Sequence, residues 1–288
     1  MEDFFRIALG TVTMRPYVFA FFAAYLVAAV LHLGWRKTIW FTVIGYLIAF
    51  GSEYSSINNG FPYGWYYYVE ATRGKELWVA GVPFFDSLSY VFLSYCSYAT
   101  ALLVLSPVKG SRRDLVSLET GRLRRSFSAL LLGSLFQVFL DIVTDPVALQ
   151  GHRWFLGRIY GYREAGHHFG IPLSNYLGWF MVSLVMIFLL QRIAVFAGNR
   201  ATPAAGVCYF PGSCLLPVIL YLAVIVFNLT IALFVKEMTI AITGIFISLL
   251  PVVLVLLQAI RRLNRYSRDE LAEHLRDFPW SPAGRLQS

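Results

Sequence analysis

The segment GVPFFDSLSYVFLSYCSYATALLVL, residues 81–105, decides how the fold of this chain is interpreted. Its first ten residues follow a pattern: Gly, β-branched, Pro, apolar, any, Asp or Asn, any, Leu, small, aromatic. The pattern recurs as GIPLSNYLGW at residues 170–179. Each copy opens an apolar stretch, and proline suits the first turn of a helix because its missing N–H would have no partner there. The two segments therefore predict two helices that begin alike.

The composition indicates the medium in which these helices fold. Of the 288 residues, 58% are hydrophobic and only 14% are charged, which leaves too few polar side chains to cover a soluble globule. The net charge of +8 fits loops facing anionic lipid, and we do not expect nucleic acid as a partner. The three cysteines lack the paired spacing of a zinc site or a disulfide framework. We predict an integral membrane protein in contact with lipid.

Seven apolar stretches approach the ~20 residues that a helix needs to cross a bilayer. The sequence thus predicts an all-α, polytopic membrane helix bundle with about seven transmembrane helices. It forms one transmembrane domain over residues 1–266, followed by a short polar tail over residues 267–288. The predicted spans are about 16–34, 38–55, 85–106, 127–145, 172–195, 214–235 and 239–261.

The basic residues predict an orientation. About two thirds of the 24 lysines and arginines fall in the loops after the first, third, fifth and seventh spans or in the tail. Because cytoplasmic loops carry the excess of positive charge, we expect a multi-pass protein of the cell membrane with its N-terminus outside and its C-terminus in the cytoplasm.

The two decapeptides belong to longer units with the same plan, about 38–106 and 127–195. Each unit has a helix with an acidic residue near its outer end (FGSEYSS and FLDIVTDP), an aromatic loop, and a Gly-x-Pro helix. Both units cross the membrane in the same sense. This order predicts a parallel internal repeat, in contrast to the inverted repeats common in transporters.

Four carboxyl groups and one amide lie near the outer ends of four of these helices. Ionisable groups within a membrane tend to face the bundle interior, so we expect these side chains to surround one pocket. The structural alternative is that Asp86 and Asn175 only cap their helices and that Asp145, before Pro146, only ends its helix. The candidate catalytic residues are Glu53, Asp86 and Asp141 as the acid–base set, of which we favour Glu53 and Asp141, with Asp145 and Asn175 in support.

Aromatic residues and the Gly-x-Pro segments complete the candidate site. Rings of the first aromatic loop and the last residue of the second decapeptide could face a substrate, although tyrosines there could instead only anchor the protein at the membrane interface. The two glycines would allow close backbone approach at the rim of the pocket. The candidate substrate-binding residues are Trp65, Tyr66, Tyr68, Gly81, Pro83, Gly170, Pro172 and Trp179.

Several other kinds of site are missing from the sequence. The five histidines are too few and too scattered for a multi-histidine iron site, and no Gly-rich phosphate loop, Gly-x-Ser-x-Gly or metalloprotease histidine pair occurs. Lys236 lies in the turn between the last two spans, so no lysine within a span could bind retinal. We therefore expect neither a metal nor a cofactor.

Four segments of the chain resemble the membrane-embedded carotenoid-biosynthesis family that includes bisanhydrobacterioruberin hydratase and the γ-carotene hydratases. These segments are EYSS with GFPYGWYYY, GVPFFDSLSY, DIVTDP and HFGIPLSNYLGW. The likeness covers roughly residues 40–195. It implies a hydro-lyase that adds water to the terminal double bond of an acyclic carotenoid and that could contact other enzymes of the carotenoid pathway. In the first decapeptide, Ser89-Tyr90 departs from the Trp common in the family, which leaves the particular carotenoid open.

The residue types of the candidate site fit a hydratase, and they leave other activities open. Hydration of an alkene needs a carboxylic acid that protonates it, aromatic faces that tolerate a carbocation, and a second carboxylate that activates water. A carotenoid cyclase or isomerase would use the same acid, and a transporter of small solutes or protons could also hold carboxyl groups in the membrane. A non-catalytic lipid-binding scaffold is a further alternative.

Overall fold

A computed structural model describes residues 2–112, 114–195 and 210–285 of the chain. Long helices dominate these residues, and the strands are short pairs in the loops. The helices are α1 (Glu2–Met14), α2 (Pro16–Leu33), α3 (Trp35–Asn59), α4 (Phe84–Leu105), α5 (Gly121–Arg124), α6 (Phe127–Leu149), α7 (Leu173–Val195), α8 (Leu216–Phe234), α9 (Met238–Arg262) and α10 (Arg268–Asp277). The strands are β1 (Tyr66–Tyr68), β2 (Trp78–Val79), β3 (Val82–Pro83), β4 (Val108–Gly110), β5 (Leu115–Ser117) and β6 (Tyr160–Tyr162).

The bundle is all-α and polytopic, as predicted. Within the described residues, six helices combine the length and the hydropathy needed to cross a membrane: α2, α4, α6, α7, α8 with its preceding turn, and α9. The second of the seven predicted spans forms α3, which has 25 residues but is not among these six. Its hydropathy is lower because it carries polar residues such as Thr38, Glu53 and Ser56, whose side chains are buried in the bundle.

Helix α4 is the central element of the bundle. It is the most buried of the six apolar helices and packs against α2, α3, α6, α7, α8 and α9. Several polar residues on this helix, among them Ser87, Ser94 and Ser97, are therefore fully enclosed by protein. The decapeptide that begins at Gly81 leads directly into this central helix, which positions Asp86 at one end of the core.

The two aromatic loops meet at one end of the bundle, which we call the site end. Strand β1 of the first loop pairs antiparallel with β6 of the second, with Tyr67 opposite Gly161. A buried ion pair between Arg15 and Glu76, 2.9 Å apart, joins the start of α2 to the first loop, and Arg15 also donates to the Leu156 carbonyl of the second loop. These contacts hold both loops over the ends of α3, α4, α6 and α7.

Both Gly-x-Pro segments begin with the same tight turn. Ala80 and Gly81 have φ of 45° and 85°, and Phe169 and Gly170 have φ of 51° and 88°. Two successive residues with positive φ are the signature of a type I′ turn. Pro83 then forms the N-cap of α4, and Pro172 immediately precedes α7. The first glycine of each decapeptide thus serves the turn that reverses the chain before its helix.

The opposite end of the bundle is closed by the hairpin β4–β5, α5 and the C-terminal residues. The Lys109 ammonium donates to the Ala283 carbonyl at 2.9 Å, and the Gly121 amide donates to Asp277 at 2.8 Å. The segment predicted as a polar tail therefore contains α10 and packs against this end as far as residue 285. Residues 2–14, for which the sequence predicted no element, form α1.

Candidate active site

Four of the five candidate catalytic residues line one cavity of about 140 Å³ at the site end. Glu53 comes from α3, Asp86 from α4, Asp145 from α6 and Asn175 from α7. Glu53 and Asn175 are buried, with 1% and 3% of their surface exposed. The structure thus brings these polar groups from four helices to a common space.

Asp145 is the carboxylate with the most hydrogen bonds in the cavity. The hydroxyl groups of Tyr160 and Tyr162 donate to its two oxygens at 2.5 and 2.7 Å, and the Asn175 amide donates to it at 2.9 Å. The expectation that Asp145 only ends its helix is wrong, because α6 continues through Pro146 to Leu149.

Asp86 and Glu53 form a second polar group across the cavity. The Tyr68 hydroxyl donates to Asp86 at 2.6 Å, and the Ser87 hydroxyl donates to Glu53. The capping alternative for Asp86 is wrong, since the N-cap of α4 is Pro83 and makes no side-chain cap. Asn175 does not act as a simple cap either, because its side chain donates to two aspartates.

Asp141 lies behind this first layer of residues. It is fully buried, accepts a hydrogen bond from Asn175 at 3.0 Å, and does not line the cavity. Its Oδ1 atom has no hydrogen-bond partner in the described protein. Spacing in the sequence could not distinguish Asp141 from Asp145, because residues four apart share a helix face. Asn175 therefore links Asp141 to the cavity without exposing it there.

The tyrosines of the two loops are neutral hydrogen-bond donors. Burial raises the pKa of Tyr68 well above its usual value, and the carboxylate of Asp86 raises it further. Burial followed by the charge of Asp145 has the same effect on the pKa values of Tyr160 and Tyr162. These three phenols keep their protons at physiological pH, so each can hold the carboxylate that it contacts.

The candidate substrate-binding residues separate into two groups. Tyr66, Tyr68 and Trp179 line the cavity, and Trp179 stacks on Tyr90 with ring centroids 4.1 Å apart. Trp65 does not line it: its side chain is 43% exposed and lies under the Arg163 guanidinium. Also outside the lining are Gly81, Pro83, Gly170 and Pro172, which form the turns and helix starts.

The expected role of the two turn glycines needs correction. A Cβ atom at Gly81 or Gly170 would meet nothing closer than 3.6 Å, so neither allows a close backbone approach. Their positive φ is the physical reason for glycine. The close approach occurs at Gly178, the small residue of the second decapeptide, where a Cβ would lie 2.6 Å from the Pro62 carbonyl oxygen.

Most of the aromatic residues that line the cavity were not predicted from the sequence. Tyr160 and Tyr162 could have been found, since YGY in the second loop is similar to YYY in the first. Trp154 also lies in the second aromatic loop and lines the cavity. Other aromatic lining residues, such as Tyr17, Phe21 and Phe227, lie in ordinary apolar stretches and carry no distinguishing signal.

Fold and site together define a polytopic membrane protein with a buried cavity that combines carboxyl groups and aromatic rings. A family model described as carotenoid biosynthesis protein matches residues 11–251 of the chain. The chain therefore belongs to the carotenoid biosynthesis protein family, which implies a carotenoid substrate. Comparisons with curated proteins and with solved structures return no match.

Proposed function

We propose that the protein is a carotenoid hydratase that adds water to the terminal double bond of an acyclic carotenoid. The observation that carries this proposal is the composition of the cavity, whose lining combines carboxyl groups with aromatic rings. A dry cavity of about 150 Å³ in another protein takes up a benzene molecule. A cavity of about 140 Å³ thus suits the branched end of a polyene rather than its whole length.

Glu53 is the proposed acid. It is buried, lines the cavity, and has the Ser87 hydroxyl as its hydrogen-bond partner instead of a lysine or arginine. In the proposed step its proton moves to the CH carbon of the terminal double bond. The π electrons form the new C–H bond, and the neighbouring carbon becomes a tertiary cation. Aromatic faces such as Trp179 and Tyr66 stabilise that cation without forming a bond to it.

Asp145 is the proposed base. An ionised carboxylate only accepts hydrogen bonds, and three donors point at its two oxygens. Asp145 would orient a water molecule whose oxygen bonds to the cation, and it would accept the proton that this water releases. The product is a tertiary alcohol. The proton then returns to Glu53 through the tyrosine hydroxyls between the two groups, of which Tyr66 and Tyr68 lie 3.4 Å apart.

The polyene chain would reach the acids between α2 and α8. Here the cavity is lined by Phe21 of α2 and Phe227 of α8, whose ring centroids are 5.6 Å apart, and Tyr17 stacks on Phe227 at 5.1 Å. Phe155 packs against Tyr17 and is 58% exposed. A row of aromatic rings from the lipid-facing surface to the cavity gives a rigid apolar polyene a continuous contact surface.

The polar groups of the lining favour hydration over cyclisation. A cyclase must keep water away from its cation, whereas several hydrogen-bonding groups around this cavity can hold water beside it.

The two units of the chain support a common origin for the site. They contribute Glu53 with Asp86 and Asp141 with Asn175, and the last residues of the two decapeptides, Tyr90 and Trp179, stack on each other. We propose that the pocket formed by internal duplication.

The test is expression in a bacterial host that accumulates lycopene, followed by pigment extraction and mass analysis. The wild-type chain should yield carotenoid carrying added water. General acid–base catalysis contributes about a hundredfold to ten-thousandfold, so Glu53→Gln and Asp145→Asn should each lose nearly all of this product. The matched control is Glu70→Gln, which changes a 59% exposed carboxylate in the first loop and should behave as wild type.

Membrane expression of each variant is measured in parallel. A folded Glu53→Gln protein that hydrates the polyene at the wild-type rate would refute the assignment of the acid. If the wild-type chain instead forms a product that has the mass of the substrate and a ring at its end, the activity is cyclisation and not hydration.

A further inference from the structure

Three fully buried polar side chains lie in the core between α4, α6 and α7. They are Ser94, Gln137 and Ser183, each with no exposed surface. Neither serine hydroxyl has a hydrogen-bond partner in the described protein, and both the amide nitrogen and the amide oxygen of Gln137 are also without one. Buried polar groups nearly always have partners, so a group of three on neighbouring helices calls for a ligand.

The three side chains lie at the same depth in the bundle. The close contact at Gly133 of α6 shows which residues of the three helices lie at the same level. A Cβ at Gly133 would lie 3.2 Å from Cα of Tyr98 on α4 and 3.0 Å from Cδ1 of Ile187 on α7. Residues four apart lie on the same helix face, one turn from each other. Moving one turn from this contact toward the site end leads to Ser94, Gln137 and Ser183 on their respective helices.

The next turn toward the site end reaches the candidate active site. It carries Tyr90 on α4, Asp141 on α6 and Trp179 on α7, and the stacking of Tyr90 on Trp179 agrees with this register. Asp141 is linked to the cavity through Asn175, and its Oδ1 atom is unpartnered. A row of unpartnered polar atoms therefore extends from Asp141 to Gln137.

We propose that Ser94, Gln137 and Ser183 bind internal water, and that this water supplies the molecule that the active site adds to the carotenoid. The inference rests on the proposed hydratase function. Buried waters make about three hydrogen bonds to otherwise unsatisfied groups, and these three residues offer that number of partners. Water moving one turn along the row would meet Asp141 and Asn175 and then Asp145.

The helices are in tight contact on the other side of the water site. At the contact of Gly133 with Tyr98 and Ile187 even one added carbon would be crowded, so the helices leave no room for a water molecule there. We therefore expect the water to exchange with the cavity at the site end.

The variant Gln137→Leu tests the proposal, because leucine has a similar size and cannot bind water. The measurement is made on purified protein in deuterium oxide with a carotenoid substrate. We expect hydrated product to fall at least about tenfold, while recovered substrate still gains deuterium. Gain of deuterium reports protonation of the alkene followed by loss of a proton, so the acid step continues when water addition fails.

The matched control is Ser106→Ala, which removes another fully buried, unpartnered hydroxyl at the opposite end of α4. It should hydrate as wild type. Gln137→Leu should also unfold near the wild-type temperature, because leucine replaces the amide together with its bound water by an apolar group of similar size. Wild-type hydration by Gln137→Leu would overturn the proposal, as would loss of both hydration and deuterium exchange in that variant.

An experimental structure that resolves waters gives a readout that does not depend on activity. Ordered water within hydrogen-bond distance of the Gln137 amide would support the site, and continuous protein contact there would refute it. If the wild-type chain forms no hydrated product, the proposed function fails, and this map still decides whether the water site exists.

Discussion

At the residue scale, the two carboxyl groups proposed as acid and base differ in their surroundings. Asp145 accepts from two phenols and an amide, whereas Glu53 has a serine hydroxyl as its hydrogen-bond partner. Hydrogen bonds to a charged group are worth about 1.5–3 kcal/mol each. The hydrogen bonds from the tyrosines of β6 therefore directly stabilise the ionised carboxylate of Asp145, the proposed base.

Replacement of Tyr162 by Phe tests this influence. Tyr162→Phe removes one donor from Asp145 while keeping the ring, and we expect the hydration rate to fall about tenfold or more. Tyr67→Phe is the control, since Tyr67 lies on the paired strand but is 41% exposed and makes no contact with the carboxylates. Initial rates in membranes with equal protein content give the comparison, and equal rates for both variants would contradict the role of Tyr162.

At the element scale, glycines of the two decapeptides serve different purposes. Gly81 and Gly170 allow the left-handed turns that lead into α4 and α7. Gly178 lets α7 pass close to the loop at Pro62, within 2.6 Å of where a Cβ would lie. The helix starts and the loop above the cavity are thus fixed by backbone geometry as well as by side chains.

Alanine substitutions at three glycines should change the free energy of unfolding by amounts that differ in sign and size. Gly81→Ala should lower the free energy of unfolding by about 1–2 kcal/mol, because only the left-handed φ opposes it. Gly178→Ala should cost more, since its Cβ would clash with a backbone oxygen. Gly51→Ala should be neutral or stabilising, because this position in α3 has open space around it and alanine favours helix. Thermal unfolding in detergent measures all three, and equal stability of Gly81→Ala and Gly51→Ala would contradict the turn assignment.

At the scale of the whole molecule, the end opposite the site holds the C-terminal segment through a buried cluster. Burial alone would raise the pKa of Glu119, but the charges of His32 and Arg124 outweigh it, so the pKa is lowered. His274 of α10 contacts the Glu119 carbonyl at 2.6 Å and the Ser281 hydroxyl at 2.7 Å. The C-terminal segment is thereby attached to the loop that follows β5.

This attachment should weaken in acid. Burial lowers the pKa of His274 in the folded state, despite the opposing charges of Glu119 and Asp277. A histidine with a lowered folded pKa takes up its proton more easily when released, so its contribution to docking is present above about pH 6.5 and is lost as the pH falls below that value.

Hydrogen exchange of the α10 amides, corrected for the intrinsic pH dependence, should therefore show more opening at about pH 5 than at about pH 7.5. His274→Gln cannot take up a proton and should remove the difference. The same pH dependence in that variant would assign the effect to another group.

Orientation in the membrane is a second prediction at this scale. The excess of basic residues predicts that the end with β4, β5 and α10 faces the cytoplasm. A reporter fused to the C-terminus should give a cytoplasmic signal, and one inserted at Gly74, where the first loop has open space, should give an external signal. An inverted pair of signals would move the candidate active site to the cytoplasmic leaflet.

The sequence by itself determined the fold class and the approximate bounds of the long helices. Predicted spans such as 85–106 and 127–145 became Phe84–Leu105 and Phe127–Leu149, because apolar stretches of membrane length have few alternative structures in lipid. Sequence also identified the carboxyl groups near the helix ends and the family.

Only the tertiary structure decided which of these groups line the cavity. Asp145 faces it and Asp141 lies behind Asn175, although the two aspartates are one turn apart on the same helix. The pairing of β1 with β6, which brings Tyr160 and Tyr162 to Asp145, joins residues more than ninety positions apart in the chain. The pattern of apolar residues sets which stretch is a helix. Rotation and tilt of each helix depend on packing against its neighbours, and those contacts determine the site.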